Sequence, residues 1–255
     1  MKKIIVIKIG TSLLTNESGK LDKENLANLV SQITYLNSTN QYHCIIVTSG
    51  AITCGSEVLD IQAKTIPEKQ AAAAIGQYLL MNEYGNIFSK NNIKIGQILL
   101  TKDGIQDTLR KENIKNTIQT LLKQNIVPVI NENDSVATDE ICFGDNDELS
   151  SEVSVLINAD KLILLTDQDG LYNKNPSKFS DATILSGKMT FSTDLLKLAE
   201  GPRSSKSRGG MKSKLLSAHF ATKNGVETTI ANGRRNNIII EILKDENIGT
   251  TFIAN

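Results

Sequence analysis

The chain has 255 residues, is 40% hydrophobic and 22% charged, and carries 28 basic and 28 acidic residues for a formal net charge of zero. That is globular composition for one large domain or two small ones, and the balanced charge argues against nucleic acid or an anionic membrane as the main partner. Three dispersed cysteines (Cys44, Cys54, Cys142) without a C-x-x-C pattern, and only two histidines (His43, His219), argue against a disulfide framework, a zinc site or imidazole catalysis.

The chain opens with Lys2-Lys3 and then Ile4-Ile5-Val6-Ile7, but Lys8 ends the apolar run after four residues. A secretory signal needs an apolar stretch of about 7–15 residues and a membrane helix about 18. The expectation is a cytoplasmic protein without a membrane span. Strand-like runs fall at 4–9, 44–47, 93–100, 126–130, 162–166, 227–231 and 238–243. Several are continuous Ile/Val-rich runs, the pattern of strands buried on both faces of a parallel sheet. Helix-like segments lie at 23–36, 68–88, 109–124, 149–158, 193–199 and 211–223. The alternation predicts βαβ units and an α/β sandwich. Residues 137–143 lack a helical period and read as a small hairpin; 173–176 and 201–210 read as polar loops.

Three strand ends carry chemistry. The first run ends in Lys8-Ile9-Gly10-Thr11-Ser12. A lysine in an apolar strand is either on an edge facing water or a cation poised over phosphate, because burying an unpaired ammonium is costly. Gly10 would let backbone approach an anion. The second run ends in Thr48-Ser49-Gly50-Ala51, a glycine turn of the kind whose N–H groups bind anions. The fourth is followed by Asn131-Glu132-Asn133-Asp134 and, shortly after, Gly144-Asp145-Asn146-Asp147. Polar side chains delivered to the end of a buried strand build ligand sites in α/β sheets; polar turns are the plainer reading of each piece alone.

Late in the chain, Arg208-Gly209-Gly210-Met211-Lys212-Ser213-Lys214 opens a helix. Lysines there oppose the helix dipole, and an anionic ligand would reverse the penalty; solvated lysines on a surface helix are the alternative. No G-x-x-x-x-G-K-[ST] P-loop and no G-x-G-x-x-G after the first strand is present. Phosphoryl transfer needs mainly positioning and cations, and Lys8 and Lys214 would supply the cations if Asp147 held both.

These motifs, in this order, together with Ala159-Asp160-Lys161 through Leu171-Tyr172, resemble the amino acid kinase family, and Asn131–Asp134 with Gly144–Asp147 resemble its glutamate 5-kinase branch. The resemblance covers essentially the whole chain. It implies a three-layer αβα sandwich around a mainly parallel central sheet, as one domain over 1–255. The N-terminal part would serve mainly the amino acid and the part from about 160 mainly the nucleotide. It implies ATP-dependent phosphorylation of the γ-carboxylate of L-glutamate to glutamyl 5-phosphate, on the route to proline. Lys8 and Lys214 would stabilise the transferring group, with Asp147 orienting them. Ser49, Asp134 and Asn146 would bind glutamate. Lys8, Thr166, Asp167, Arg208, Gly209, Gly210, Met211, Lys212, Ser213 and Lys214 would lie along ATP, with Gly10 and Gly50 as backbone anion turns. Mg²⁺ would bridge the phosphates without dedicated protein ligands.

The resemblance also implies a homo-oligomer (dimer or tetramer) and feedback inhibition by proline. The chain departs from the family in two respects. Ser207-Arg208 stands where a glycine-threonine pair is usual, and the chain ends at Asn255 without the C-terminal PUA domain of many relatives. A non-catalytic amino-acid sensor on the same fold, or a kinase for another small carboxylate, are the competing readings.

Overall fold

The computed structural model describes residues 2–16, 18–137, 146–199 and 210–254. Its sheet contains β1 (Lys3–Ile9), β2 (Tyr42–Val47), β3 (Ile95–Leu100), β4 (Val127–Glu132), β5 (Lys161–Thr166), β6 (Gly187–Met189), β7 (Glu227–Asn232) and β8 (Thr250–Phe252). The order across the sheet is β3-β4-β2-β1-β5-β7-β8-β6, and every pairing is parallel except β7 with β8. The helices are α1 (Thr11–Leu14), α2 (Lys23–Ser38), α3 (Ala51–Leu59), α4 (Ile66–Ser89), α5 (Lys102–Gln106), α6 (Thr108–Lys123), α7 (Asn146–Leu156), α8 (Leu195–Leu198), α9 (Met211–Lys223) and α10 (Ile238–Leu243).

Strand alternation assigns the layers. On β1, Ile5, Ile7 and Ile9 join Leu26, Leu29, Ile33, Leu80, Tyr84 and Ile238 in one core, which is built with α2, α4 and α10. Val6 joins Leu149, Val153, Leu215 and Ala218 in the other, built with α7 and α9. Lys8 has the parity of Val6, so it faces the layer that carries α7 and α9. Its strand is central, flanked in register by Val47 and Leu164. That removes the edge-strand reading of Lys8.

Most expected elements appear at or near their places, and the three-layer α/β sandwich stands. The 238–243 run is a correction, since it forms helix α10 and not a strand. Ile238, Ile239 and Ile242 are buried while Ile240 is only partly so, which is one helical face and not period-2 alternation. Gln32 of α2 accepts the Ile239 N–H at 2.9 Å, satisfying an amide of the first turn that has no helical partner. Short apolar runs are ambiguous by periodicity alone, and here packing against α2 decides. The 193–199 helix shrinks to the single turn α8, while α1, α3, α5, β6 and β8 were not anticipated. The expected 137–143 hairpin lies, from residue 138 on, outside the described residues.

Both histidines take structural places, His43 within β2 and His219 stacked on Phe191 with centroids 4.5 Å apart. Cys44 and Cys54 are buried free thiols, and burial pushes them up to about 12 and about 11; Cys142 lies outside the described residues. Among the described residues no helix is long and apolar enough to cross a membrane.

Helices α3 and α4 touch backbone to backbone. A Cβ on Gly55 would lie 1.7 Å from the Ala72 carbonyl oxygen, and one on Gly76 would lie 1.8 Å from that of Ala51. This contact fixes the start of α3, and with it the Ser49-Gly50 turn. Gly76→Ala should therefore destabilise the protein by about 1–3 kcal/mol, although helix propensity alone favours alanine by about 1 kcal/mol. Denaturant unfolding reads the sign directly; a stabilised variant would contradict the close approach.

Candidate active site

A cleft of about 450 Å³ opens at the carboxyl ends of β1, β2, β4 and β5. The chain lays β2, β4 and β3 on one side of β1 and β5, β7, β8 and β6 on the other. The cleft therefore sits where the strand order reverses, the expected ligand position in an open α/β sheet. A larger cavity of about 750 Å³ at the amino ends of the strands, with Lys2, His43 and Asn125 on its wall, holds none of the motif residues. The chemistry decides for the smaller cleft.

Its wall gathers Lys8, Gly10, Ser49, Gly50, Asp134, Asn146, Thr166, Asp167, Gly210, Met211 and Lys214. These residues come from both ends of the sequence. Asp147 stands behind them. It is 0% exposed, and its two carboxylate oxygens take one lysine each: Lys8 Nζ at 2.6 Å from Oδ1 and Lys214 Nζ at 3.0 Å from Oδ2. Lys8 is 3% and Lys214 4% exposed. Burial pushes the Asp147 carboxyl upward, but the two ammonium charges outweigh it and hold the group below its ordinary value. The carboxylate is ionised at neutral pH, and the lysine amines are fixed side by side at the cleft.

The opposite wall is an amide network. Asn146 Nδ2 donates to the Thr48 carbonyl, to Ser49 Oγ at 2.9 Å and to Asn131 Oδ1 at 2.8 Å. Asn131 Nδ2 donates in turn to Gln77 Oε1 of α4 at 2.7 Å. The Tyr84 hydroxyl lies 2.9 Å from Thr48 Oγ1. Asn146 and Asp147 are neighbours in the first turn of α7, one tying together the ends of β2 and β4, the other the two lysines. Gly50 caps α3 with φ +93°, a left-handed conformation that favours glycine.

Not every expected residue reaches the cleft. Lys212 and Ser213 share the first turn of α9 with Lys214 but do not line it. Lys212 is exposed, whereas Lys214 is buried, so the surface-lysine reading fails for Lys214. Arg208 and Gly209, with Gly144 and Asp145, lie outside the described residues. Sequence reasoning missed Gln77 and Gln168; Thr11, Ser12 and Glu132 also line the cleft, and the sequence showed them only as members of motifs without an individual role. Gln77 left one trace, a lone amide at the end of the apolar stretch Ala71-Ala72-Ala73-Ala74-Ile75-Gly76. Among the described residues no group of three or more His, Cys, Asp or Glu is placed to hold a metal ion.

The fold and the cleft are those of a small-molecule kinase without a P-loop. Residues 3–232 match the model of the Amino acid kinase family. The chain is 44% identical over 251 residues to the glutamate 5-kinase of Caldanaerobacter subterraneus subsp. tengcongensis, covering 98% of this chain and 67% of that protein. It is 43% identical over 255 residues to that of Streptococcus suis, covering 99% and 71%. Among solved structures, carbamate kinase from Giardia lamblia bound to AMP-PNP superimposes with a TM-score of 0.69 at 15% identity, over 100% of this chain and 99% of that one. UMP kinase from Bacillus anthracis does so with 0.66 at 14%, over 99% and 96%. At such identities the structural likeness concerns the fold alone. The chain belongs to the amino acid kinase family and, within it, to the glutamate 5-kinases.

Proposed function

We propose that this chain transfers the γ-phosphoryl group of ATP to the γ-carboxylate of L-glutamate, forming glutamyl 5-phosphate for proline synthesis in the cytoplasm. The observation that carries the reading is the buried carboxylate of Asp147 with one lysine on each oxygen. Charge spreads over the phosphoryl oxygens in the transition state, and preorganised cations offset it without reorganising. The acceptor carboxylate is already ionised at pH 7, so no general base is required. Lys8 and Lys214 act on the transferring group. Asp134 takes the substrate ammonium, and Ser49 with the amides of the Gly50 turn takes its carboxylates. Asn146, its Nδ2 engaged with three protein oxygens, holds Ser49 and Asn131 in place.

Thr166, Asp167, Gly210 and Met211 flank the nucleotide. The acceptor is thus served mainly by the N-terminal part and ATP by the part from about residue 160. When bound, Mg²⁺ neutralises phosphate charge. The dispersed carboxylates Glu132, Asp134 and Asp167 suit an ion held by phosphate oxygens and water better than a protein cage.

The test is ADP release with Mg-ATP and a panel of glutamate, aspartate and N-acetylglutamate. Glutamate should give the highest kcat/KM; preference for either competitor would sink the acceptor assignment. Added proline should lower the glutamate rate, and light scattering should report a homo-oligomer. Asp134→Ala should raise the glutamate KM about 10–100-fold, the worth of one charge-assisted hydrogen bond, and leave the ATP KM unchanged. An unaltered glutamate KM would remove Asp134 from the acceptor site.

A further inference from the structure

We infer that Arg234 is a positioning residue for the phosphate side of the cleft, an inference that rests on the phosphotransfer reading above. The rim segment 10–12 follows Ile9, the last residue of β1 and one position after Lys8, and a Cβ on Gly10 would lie 3.4 Å from Lys8 Nζ. Whatever fixes this segment fixes the space around that amine. The segment continues into α1, a single turn too short to satisfy its own carbonyls. All five carbonyls from Thr11 to Thr15 are taken by groups outside the turn's own ladder. Thr15 Oγ1 donates to the Thr11 oxygen at 2.9 Å, Asn25 Nδ2 to Leu13 at 2.9 Å and the Asp22 N–H to Leu14 at 2.8 Å. Arg234 supplies the other two. Its Nη2 donates to the Ser12 oxygen at 2.7 Å and to Thr15 at 3.2 Å, while Nη1 pairs with Asp22 at 3.1 Å.

The two residues before Arg234, Asn232 and Gly233, bind the end of β5 and the segment after it. The Gly233 N–H donates to the Thr166 carbonyl at 2.9 Å, and Asn232 Nδ2 to Asp169 Oδ1 at 3.0 Å. Asn232 Oδ1 also accepts the Arg234 N–H at 2.9 Å. A Cβ on Gly233 would come within 2.4 Å of Leu13 Cδ1, so the turn lies tightly against α1 and a side chain there would displace Leu13. Asn232-Gly233-Arg234 is therefore a bracket between the segment after β1 and the segment after β5, which enclose the phosphate side from two directions. Arginine suits the post because one planar fork reaches two carbonyls and a carboxylate at once.

The guanidinium is half-exposed, and such ion pairs contribute little to global stability. Function should therefore fall out of proportion to stability. Arg234→Ala should weaken AMP-PNP binding, read by calorimetry, about tenfold and lower kcat with glutamate about 10–100-fold. The glutamate KM should move less than about twofold and Tm by no more than about 3 °C. Arg234→Lys, able to keep one contact, should recover part of the nucleotide affinity. Unchanged AMP-PNP affinity in Arg234→Ala would overturn the inference. So would a Tm loss above about 10 °C with both KM values shifting together, which marks a purely structural role. Wild-type protein that binds no AMP-PNP would overturn this inference and the phosphotransfer reading alike. Wild-type protein that binds it yet leaves glutamate unphosphorylated would sink only that reading, and the affinity difference would still decide the role of Arg234.

Discussion

Asp147→Ala should lose catalysis and a large part of its stability together. The variant leaves the ammonium groups of Lys8 and Lys214 in a site 3% and 4% exposed without the carboxylate that each of them contacts. Removing one member of a buried ion cluster costs about 3–5 kcal/mol, because the remaining charge stays desolvated. In denaturant unfolding the midpoint should drop accordingly, and turnover should fall by about two orders of magnitude or more as the lysines lose their common anchor.

The pH dependence carries a sign that checks the cause. The folded carboxyl lies below its ordinary value of 3.8. Its contribution to stability is therefore fully present above that value and is lost as the pH falls through the lower, folded one. The gap between wild type and Asp147→Ala should be widest near neutrality and narrow below pH 3.8. A gap that stayed constant down to acid would mean that the deleted side chain mattered for packing and not for charge. Asp147→Asn, which keeps the shape, should retain more stability than the alanine variant and still lose most of the turnover.

Lys8→Met and Lys214→Met should behave differently from Asp147→Ala. Each exchanges a buried ammonium for an apolar side chain of similar length and leaves Asp147 paired with the other lysine. Because the remaining lysine still compensates the Asp147 carboxylate, no lone buried charge is left, and the stability cost should fall well below that of Asp147→Ala. Removing one preorganised group that offsets transition-state charge costs about 10²–10³-fold in kcat. The expected pattern is an intact fold by thermal unfolding, a kcat lowered by that factor and a glutamate KM close to wild type. Lys8 sits between Val47 and Leu164 in the centre of the sheet, so methionine fits its surroundings. Near-normal turnover in either variant would exclude that lysine from the chemistry.

The strands around the cleft were legible because an apolar run capped by a glycine turn is a local signal, and Lys8 stood out against Ile7 and Ile9. Asn146 and Asp147 were legible as adjacent polar residues with different expected roles, and on one helical turn they make different contacts, Asn146 with Ser49 and Asn131 and Asp147 with the two lysines. The supporting residues were hidden by distance along the chain. Gln77 meets Asn131 across 54 positions and Arg234 meets Ser12 across 222, so no window of sequence holds both partners. The helix α10 was hidden for another reason. Four isoleucines among six residues have strand propensity, and only packing against α2 and the Gln32 cap reveals the helical face. The strands β6 and β8, three residues each, carry too few residues for a period to show.

The central claim is that two lysines gathered on Asp147 drive phosphoryl transfer to a carboxylate. Its most direct test is ATP-dependent hydroxamate formation from glutamate with Mg²⁺ and hydroxylamine, comparing wild type with Lys214→Met at matched folded concentration. The account predicts glutamyl hydroxamate from the wild type and a yield reduced at least about a hundredfold in the variant. ATP consumption without hydroxamate in the wild type, or equal yields from the two proteins, would contradict it.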